Sequence, residues 1–181
     1  MDFISDYMYQ FFEEVTPYEF YRDVFPIGEL EERGKQEQGK YNGVAVELLP
    51  REKDNNAQKI KRYIVTDDLY ILDKLLESNN FIIISPISYK GKNRKAESAR
   101  FIYGLAIDLD GVETVQNITD LFYQMQNDIL PTPTYAVTSG HGLHLYYLFE
   151  TPLPAFENIK KGLHTLKTAL IRRIWNRYVT V

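Results

Sequence analysis

Apolar positions along the chain fall into runs with two periods, and their order predicts the elements. Residues 3–15 and 17–25 are rich in aromatics and read as two short helices. Pro17 suits a first helical position and Pro26 ends the second helix. The polar, glycine-containing stretch 28–40 reads as a loop. Strand patterns follow at 41–49 and 61–66. Thr66, Asp67 and Asp68 offer caps for a helix over 69–78. The apolar, β-branched run 81–85 is a strand, and 89–100 is a basic loop entering a helical turn.

From 103 the predicted order is strand (103–110), helix (114–128), strand (134–138), glycine turn (139–142), strand (143–149) and helix (155–178). On residues 114–128 the apolar positions Val115, Ile118, Leu121, Phe122 and Met125 share one helical face. The fold class is α+β: a mainly antiparallel sheet with helices on one face and the other face open for a site.

The strand YGLAIDLD at 103–110 carries two carboxylates in an apolar run. Side chains alternate along a strand. Leu105, Ile107 and Leu109 therefore belong to the core face; Gly104, Ala106, Asp108 and Asp110 belong to the other. Residues two apart on a strand are about 6.5–7 Å apart. Both carboxylates can thus reach one divalent cation, or two held side by side. Oxygen donors of this kind suit Mg²⁺ or Mn²⁺ that is also held by substrate phosphates. D-x-D alone is common, and Asp110-Gly111 also fits the start of a turn.

Two further groups carry anion chemistry. The run TSGHGLHLYYLFE at 138–150 places Ser139, Gly140 and Gly142 in a turn, followed by His144 in a strand. Glycine amides in such a turn can point at an anion, and a histidine can donate to a phosphate. His141 sits in the turn and reads as solvated. The loop from Tyr89 to Lys95 contains Lys90, Lys92, Arg94 and Lys95, with Arg100 beyond. It is either a solvated loop or a clamp on phosphates.

Composition then narrows the class. The chain has 181 residues, 44% hydrophobic and 25% charged, enough for one compact domain of two lobes. No run approaches ~18 uncharged apolar residues, so no membrane span is expected. The N-terminus is acidic and lacks the marks of a signal peptide. There is no cysteine, which excludes a disulfide framework and a cysteine zinc site and fits the cytoplasm. The net charge is -4, yet residues 1–33 hold nine acids against two bases, and 151–181 hold six bases against one acid. Separated signs let an acidic chain bind a phosphate backbone locally.

Taken together, ISPISYKGKNRKAESARFIYGLAIDLDGV and PTYAVTSGHGLHLYYLFE resemble the archaeo-eukaryotic primase superfamily, the primase-polymerases, in versions from mobile elements of Gram-positive bacteria. Asp108 and Asp110 match the family's D-x-D motif. Ser139, Gly140, Gly142 and His144 match its s-G-x-G-x-H motif. The resemblance covers 81–152 and extends faintly to 17–50. It implies a two-lobed core, with an N-terminal αβ lobe over 1–100 and a catalytic lobe like an RNA-recognition motif over 101–181. It implies template-directed nucleotidyl transfer on single-stranded DNA in replication of a plasmid or mobile element. Asp108 and Asp110 would hold two metal ions, Mg²⁺ or Mn²⁺. His144 and the turn amides would hold the incoming nucleoside triphosphate, with Lys92 and Arg94 assisting. A helicase or other replication domain is an expected downstream partner.

One departure stands out. The family's third motif supplies a later aspartate, and no aspartate follows Asp128. Glu150 has the strand parity of His144 and is a substitute candidate. The third acid is otherwise expected beyond Val181, since NRYVTV reads as the opening of a further strand. The alternative function is a catalytically silent module of the same fold that binds nucleic acid in a replication complex. A metal-dependent sugar transferase would not need the histidine turn. A rolling-circle nuclease would need a tighter histidine pair.

Overall fold

The computed structural model describes residues 3–10, 12–30, 41–50, 59–112, 114–138, 142–176 and 179. In chain order its elements are α1 (Phe3–Met8), α2 (Pro17–Val24), β1 (Gly43–Leu48), β2 (Ile60–Val65), α3 (Ile71–Leu76), β3 (Phe81–Ile84), β4 (Ile87–Tyr89), a 3₁₀ turn (Ala96–Ser98), β5 (Ala99–Asp110), α4 (Val115–Gln126), β6 (Tyr135–Thr138), β7 (Gly142–Pro154) and α5 (Glu157–Ile174). It is an α+β protein with antiparallel strand pairing. None of the described helices is long and apolar enough to cross a membrane.

The chain forms two compact units. The upstream unit is Pro17–Tyr103 with Thr151–Ala155, and the downstream unit is Met1–Thr16, Gly104–Glu150 and Phe156–Val181. The main boundary is Tyr103/Gly104, against the 100/101 boundary read from sequence. Residues 1–16, placed by sequence in the first lobe, group with the second.

In the upstream unit β1 is the centre of a three-stranded sheet, order β2-β1-β3. Ala45 lies opposite Tyr63 and Ile84, and Glu47 opposite Lys61 and Ile82. Val44 and Val46 form a buried cluster with Tyr89 and Ala99. The expected Thr66–Asp68 cap has a different form. Asp68 accepts the Tyr70 N–H at 3.1 Å, and α3 starts after Tyr70 without a side-chain cap. Asp67 instead accepts the N–H groups of Gly28 and Leu30. β4 is only three residues long and follows a proline, so it left little periodic signal. β7 runs through Pro152 and Pro154 because two prolines two apart turn their missing N–H groups to the same side. The N–H of Ala155, on the other side, still donates to the Arg100 carbonyl at 2.8 Å.

One buried acid ties this unit together. Glu47 is 6% exposed. Its Oε1 accepts from Ser78 Oγ and Asn80 Nδ2, both at 2.8 Å, and its Oε2 accepts from the Tyr63 hydroxyl at 2.6 Å. Bonds from Asn80 first, then Tyr63 and Ser78, hold the Glu47 carboxyl down at about 2. A carboxyl with a depressed folded pKa stabilises fully above its unfolded value, and the effect fades as pH falls toward the folded one. Stability should therefore decline between about pH 4.5 and 2 partly through Glu47. Glu47→Gln should unfold more easily at pH 7 and show a flatter decline in that acid window. Urea midpoints across pH check this, and equal slopes for the two proteins refute it.

The described residues of the downstream unit share a large core. Ile107 and Leu109 of β5, Ile118, Leu121, Phe122 and Met125 of α4, Leu143 and Leu145 of β7, Ile4 of α1 and Ile174 of α5 are buried together. Three helices thus cover one face of its strands. α4 starts with a capping box, in which Thr114 Oγ1 accepts the Asn117 N–H and Asn117 Oδ1 accepts the Thr114 N–H, each at 3.1 Å. α1 is shorter than the helix expected over 3–15. The chain leaves it so that Phe12 can pack on Phe122, ring centres 4.8 Å apart. Val179 is fully buried in this core; most of the strand expected at the end of the chain lies outside the described residues.

Candidate active site

β5 supplies the two aspartates with the predicted parity. Leu105, Ile107 and Leu109 are buried, Ala106 is half-buried, and Asp108 and Asp110 are exposed. Within the downstream unit β7 lies beside β5. Gly104 abuts Leu148, Asp108 meets His144, and Asp110 abuts Gly142. Numbers rise on one strand as they fall on the other, so the strands run antiparallel. Residues directly opposite share a face. The face that carries Asp108 and Asp110 therefore also carries Gly142, His144 and Tyr146, away from the helices.

Nε2 of His144 lies 3.2 Å from Oδ1 of Asp108, with side chains 31% and 66% exposed. The pair is open to a ligand on one side. β6 extends the face, since Tyr135 lies opposite Tyr146 and Val137 opposite His144. Tyr135 and Val137 were not singled out from sequence, because a four-residue strand shows its parity only once it is paired. Burial, and then the charge of Asp108, push the Tyr146 hydroxyl above its ordinary range. At neutral pH it stays protonated and able to donate.

Gly142 sits where the end of β5 leaves no room. A Cβ there would be 2.2 Å from the Leu109 carbonyl oxygen and 3.2 Å from the Asp110 Cα. The missing side chain lets the start of β7 lie directly on the backbone that carries Asp110. Ser139, Gly140 and His141, the rest of the predicted turn, lie outside the described residues.

Two carboxylates on an open face provide oxygen donors fit for a hard divalent cation that keeps water or phosphate on its remaining positions. Among the described residues no group of three or more His, Cys, Asp or Glu could hold a metal ion. Glu150 is exposed and lies six residues beyond His144, about 20 Å along an extended strand. That is too far to share an ion with Asp108.

Lys92 and Arg94 belong to the upstream unit, on the loop after β4. Lys92 is exposed and Arg94 partly so. Neither forms an ion pair or hydrogen bond among the described residues. Lys95, by contrast, faces Glu97 at 3.7 Å, and Arg100 donates to the Glu97 and Ala99 carbonyls. Tyr89 and Tyr103 are 4% and 3% exposed and packed in the protein interior. Of Tyr89, Tyr103 and Tyr146, Tyr146 is the one on the open face.

Compared with models of known protein families, with curated proteins and with solved structures, the chain finds no match.

Proposed function

We propose that this chain is the catalytic part of a primase-polymerase, a nucleotidyltransferase that builds a strand on a single-stranded DNA template. The observation that carries the reading is the grouping of Asp108, Asp110 and His144 on the open face of a helix-backed antiparallel sheet. The resemblance of the two motifs to that family supports it. A divalent cation on Asp108 and Asp110, Mg²⁺ or Mn²⁺, would supply the charge that activates a 3′-hydroxyl and steadies the departing pyrophosphate. The 3′-oxygen bonds to the α-phosphorus of the incoming nucleotide as the bond to pyrophosphate breaks.

The protein's own share is placement. His144, resting on Asp108 in the free protein, exchanges that carboxylate for a phosphate oxygen of the triphosphate. Gly142 lies on the same face, and the resemblance gives Ser139 and Gly140 a share in holding the same phosphates. Tyr146 offers a face or a hydroxyl to the nucleotide, and Lys92 and Arg94, in the upstream unit, offer positive charge to phosphate in their own right.

A second reading has its own observation. Among the described residues only two acids stand on the face, and this suits a module that binds nucleotide and nucleic acid without turnover. The deciding experiment supplies single-stranded DNA, labelled nucleotides and Mn²⁺, and looks for templated products beside Mn²⁺-dependent nucleotide binding. Product that depends on template and vanishes in Asp108→Asn is the expected result. Binding without product selects the silent module. Equal product from wild type and Asp108→Asn refutes the assignment of the site.

A further inference from the structure

Outside the Asp108 group, one buried side chain is spent in a way that packing alone does not explain. Asn42 is 0% exposed and precedes β1. Its backbone forms a two-bond bridge with Tyr89, donating to the Tyr89 carbonyl at 3.2 Å and accepting from the Tyr89 N–H at 2.8 Å. Its side-chain Nδ2 donates to the Gly43 carbonyl at 2.8 Å and to the Gly91 carbonyl at 3.0 Å. Its Oδ1 is buried and has no hydrogen-bond partner. An orphaned buried acceptor costs about 1–3 kcal/mol. A smaller apolar residue would avoid that cost, so the gain must lie in what Nδ2 holds.

What it holds is the base of the basic loop. Gly91 has φ +74°, a turn that suits glycine. Lys90 N–H donates to the Ser98 carbonyl at 2.8 Å and closes the loop from the other end. Between these two anchors the loop presents Lys92 and Arg94, whose charges no acid among the described residues answers. Lys95, beside them, already has Glu97. A loop with a fixed base and unanswered cations at its tip is suited to an anion with several charged oxygens.

We infer that Asn42 is a positioning residue: it pins the Gly91 carbonyl so that Lys92 and Arg94 form a phosphate-binding loop in the upstream unit. The ligand chemistry is phosphate, either the triphosphate of a nucleotide or successive phosphates of a nucleic-acid strand. The inference deepens the proposed function by giving Lys92 and Arg94 a built support, and it rests on that reading for its biological ligand. All the residues involved lie in the upstream unit, and the loop needs neither Asp108 nor a metal.

The test uses the full chain at low salt with a metal chelator present, titrated with inorganic tripolyphosphate and, separately, with a single-stranded oligonucleotide. Lys92→Ala/Arg94→Ala should weaken binding roughly tenfold for each cation lost. Asn42→Ala should weaken it about fivefold or more, and adding Asn42→Ala to the double variant should cost nothing further, because the pinned cations are already gone. A residue that only stabilised the fold would lower the melting temperature without that coupling. A loss confined to tripolyphosphate assigns the loop to a triphosphate, and a loss confined to the oligonucleotide assigns it to a strand; each supports the inference. If Asn42→Ala does not fold, protection of amides 90–95 from hydrogen exchange by tripolyphosphate in the wild type decides the loop, and its absence overturns it. Unchanged binding in the cation double variant, or fully additive losses, also overturns it. The chelator keeps this outcome separate from the catalytic claim, since an inactive protein can still bind phosphate here.

Discussion

Asp108→Asn should lower templated nucleotide incorporation by about 10²-fold or more while leaving the melting temperature almost unchanged. The two halves of that expectation have separate causes. Asparagine keeps the shape but removes the negative charge that would hold a divalent cation, and one preorganised electrostatic group is worth roughly 10²–10³ in rate. The Asp108 side chain is 66% exposed and meets the His144 ring at 3.2 Å. Exposed substitutions away from such features usually stay within about 0.5 kcal/mol. Asp110→Asn, also exposed on β5, should behave alike. His144→Ala should behave differently. A group that holds the triphosphate equally in ground and transition states raises KM, here about tenfold or more, with a smaller effect on kcat. Steady-state kinetics beside thermal melts separate these patterns. Asp108→Asn activity within threefold of wild type would remove the aspartate pair from the mechanism.

The sequence disclosed the site's floor better than its surroundings, for a physical reason. Strand parity is a local property, so Leu105, Ile107 and Leu109 could be assigned inward and Asp108 and Asp110 outward before any pairing was known; the burial pattern agrees. That His144 would meet Asp108 is a question of register between β5 and β7. Register depends on turn geometry and cross-strand packing that one strand does not encode. Tyr135 and Val137 joined the face by the same route. Asn42 was invisible for a stronger reason. It sits in YNGV, the opening of an ordinary strand pattern, and its importance lies in a bond to Gly91, forty-nine residues later. Boundaries erred where chain direction changes for packing: α1 stops early so that Phe12 can reach Phe122. β7 continues past the expected 143–149 through Pro152 and Pro154, because prolines spaced by two leave one edge free to pair.

Two glycine substitutions of the same chemistry should have opposite effects, and the contrast tests the close approach that positions Asp110. At Gly142 the added Cβ would stand 2.2 Å from the Leu109 carbonyl oxygen and 3.1 Å from its carbon. Both are backbone atoms, so no side-chain rotation relieves the overlap, and the strands must separate. Leu109 and Leu143, the neighbours on either side of that contact, are 2% and 0% exposed in the core. Separation is therefore transmitted to the packed interior, at a cost of about 3 kcal/mol, the upper part of the range for overpacking. That corresponds to roughly 6–12 °C in melting temperature for a chain of this size. At Gly162, within α5, an added Cβ meets nothing within 4 Å. Alanine there should stabilise by about 0.5–1 kcal/mol, because it narrows the unfolded ensemble and favours helix. Gly142→Ala should also cost activity beyond its loss of folded protein, since displacing the Asp110 backbone moves one carboxylate away from its neighbour. Equal melting temperatures for Gly142→Ala and wild type would mean that β7 does not lie against the end of β5. In that case Gly142, His144 and the two aspartates would have no common frame.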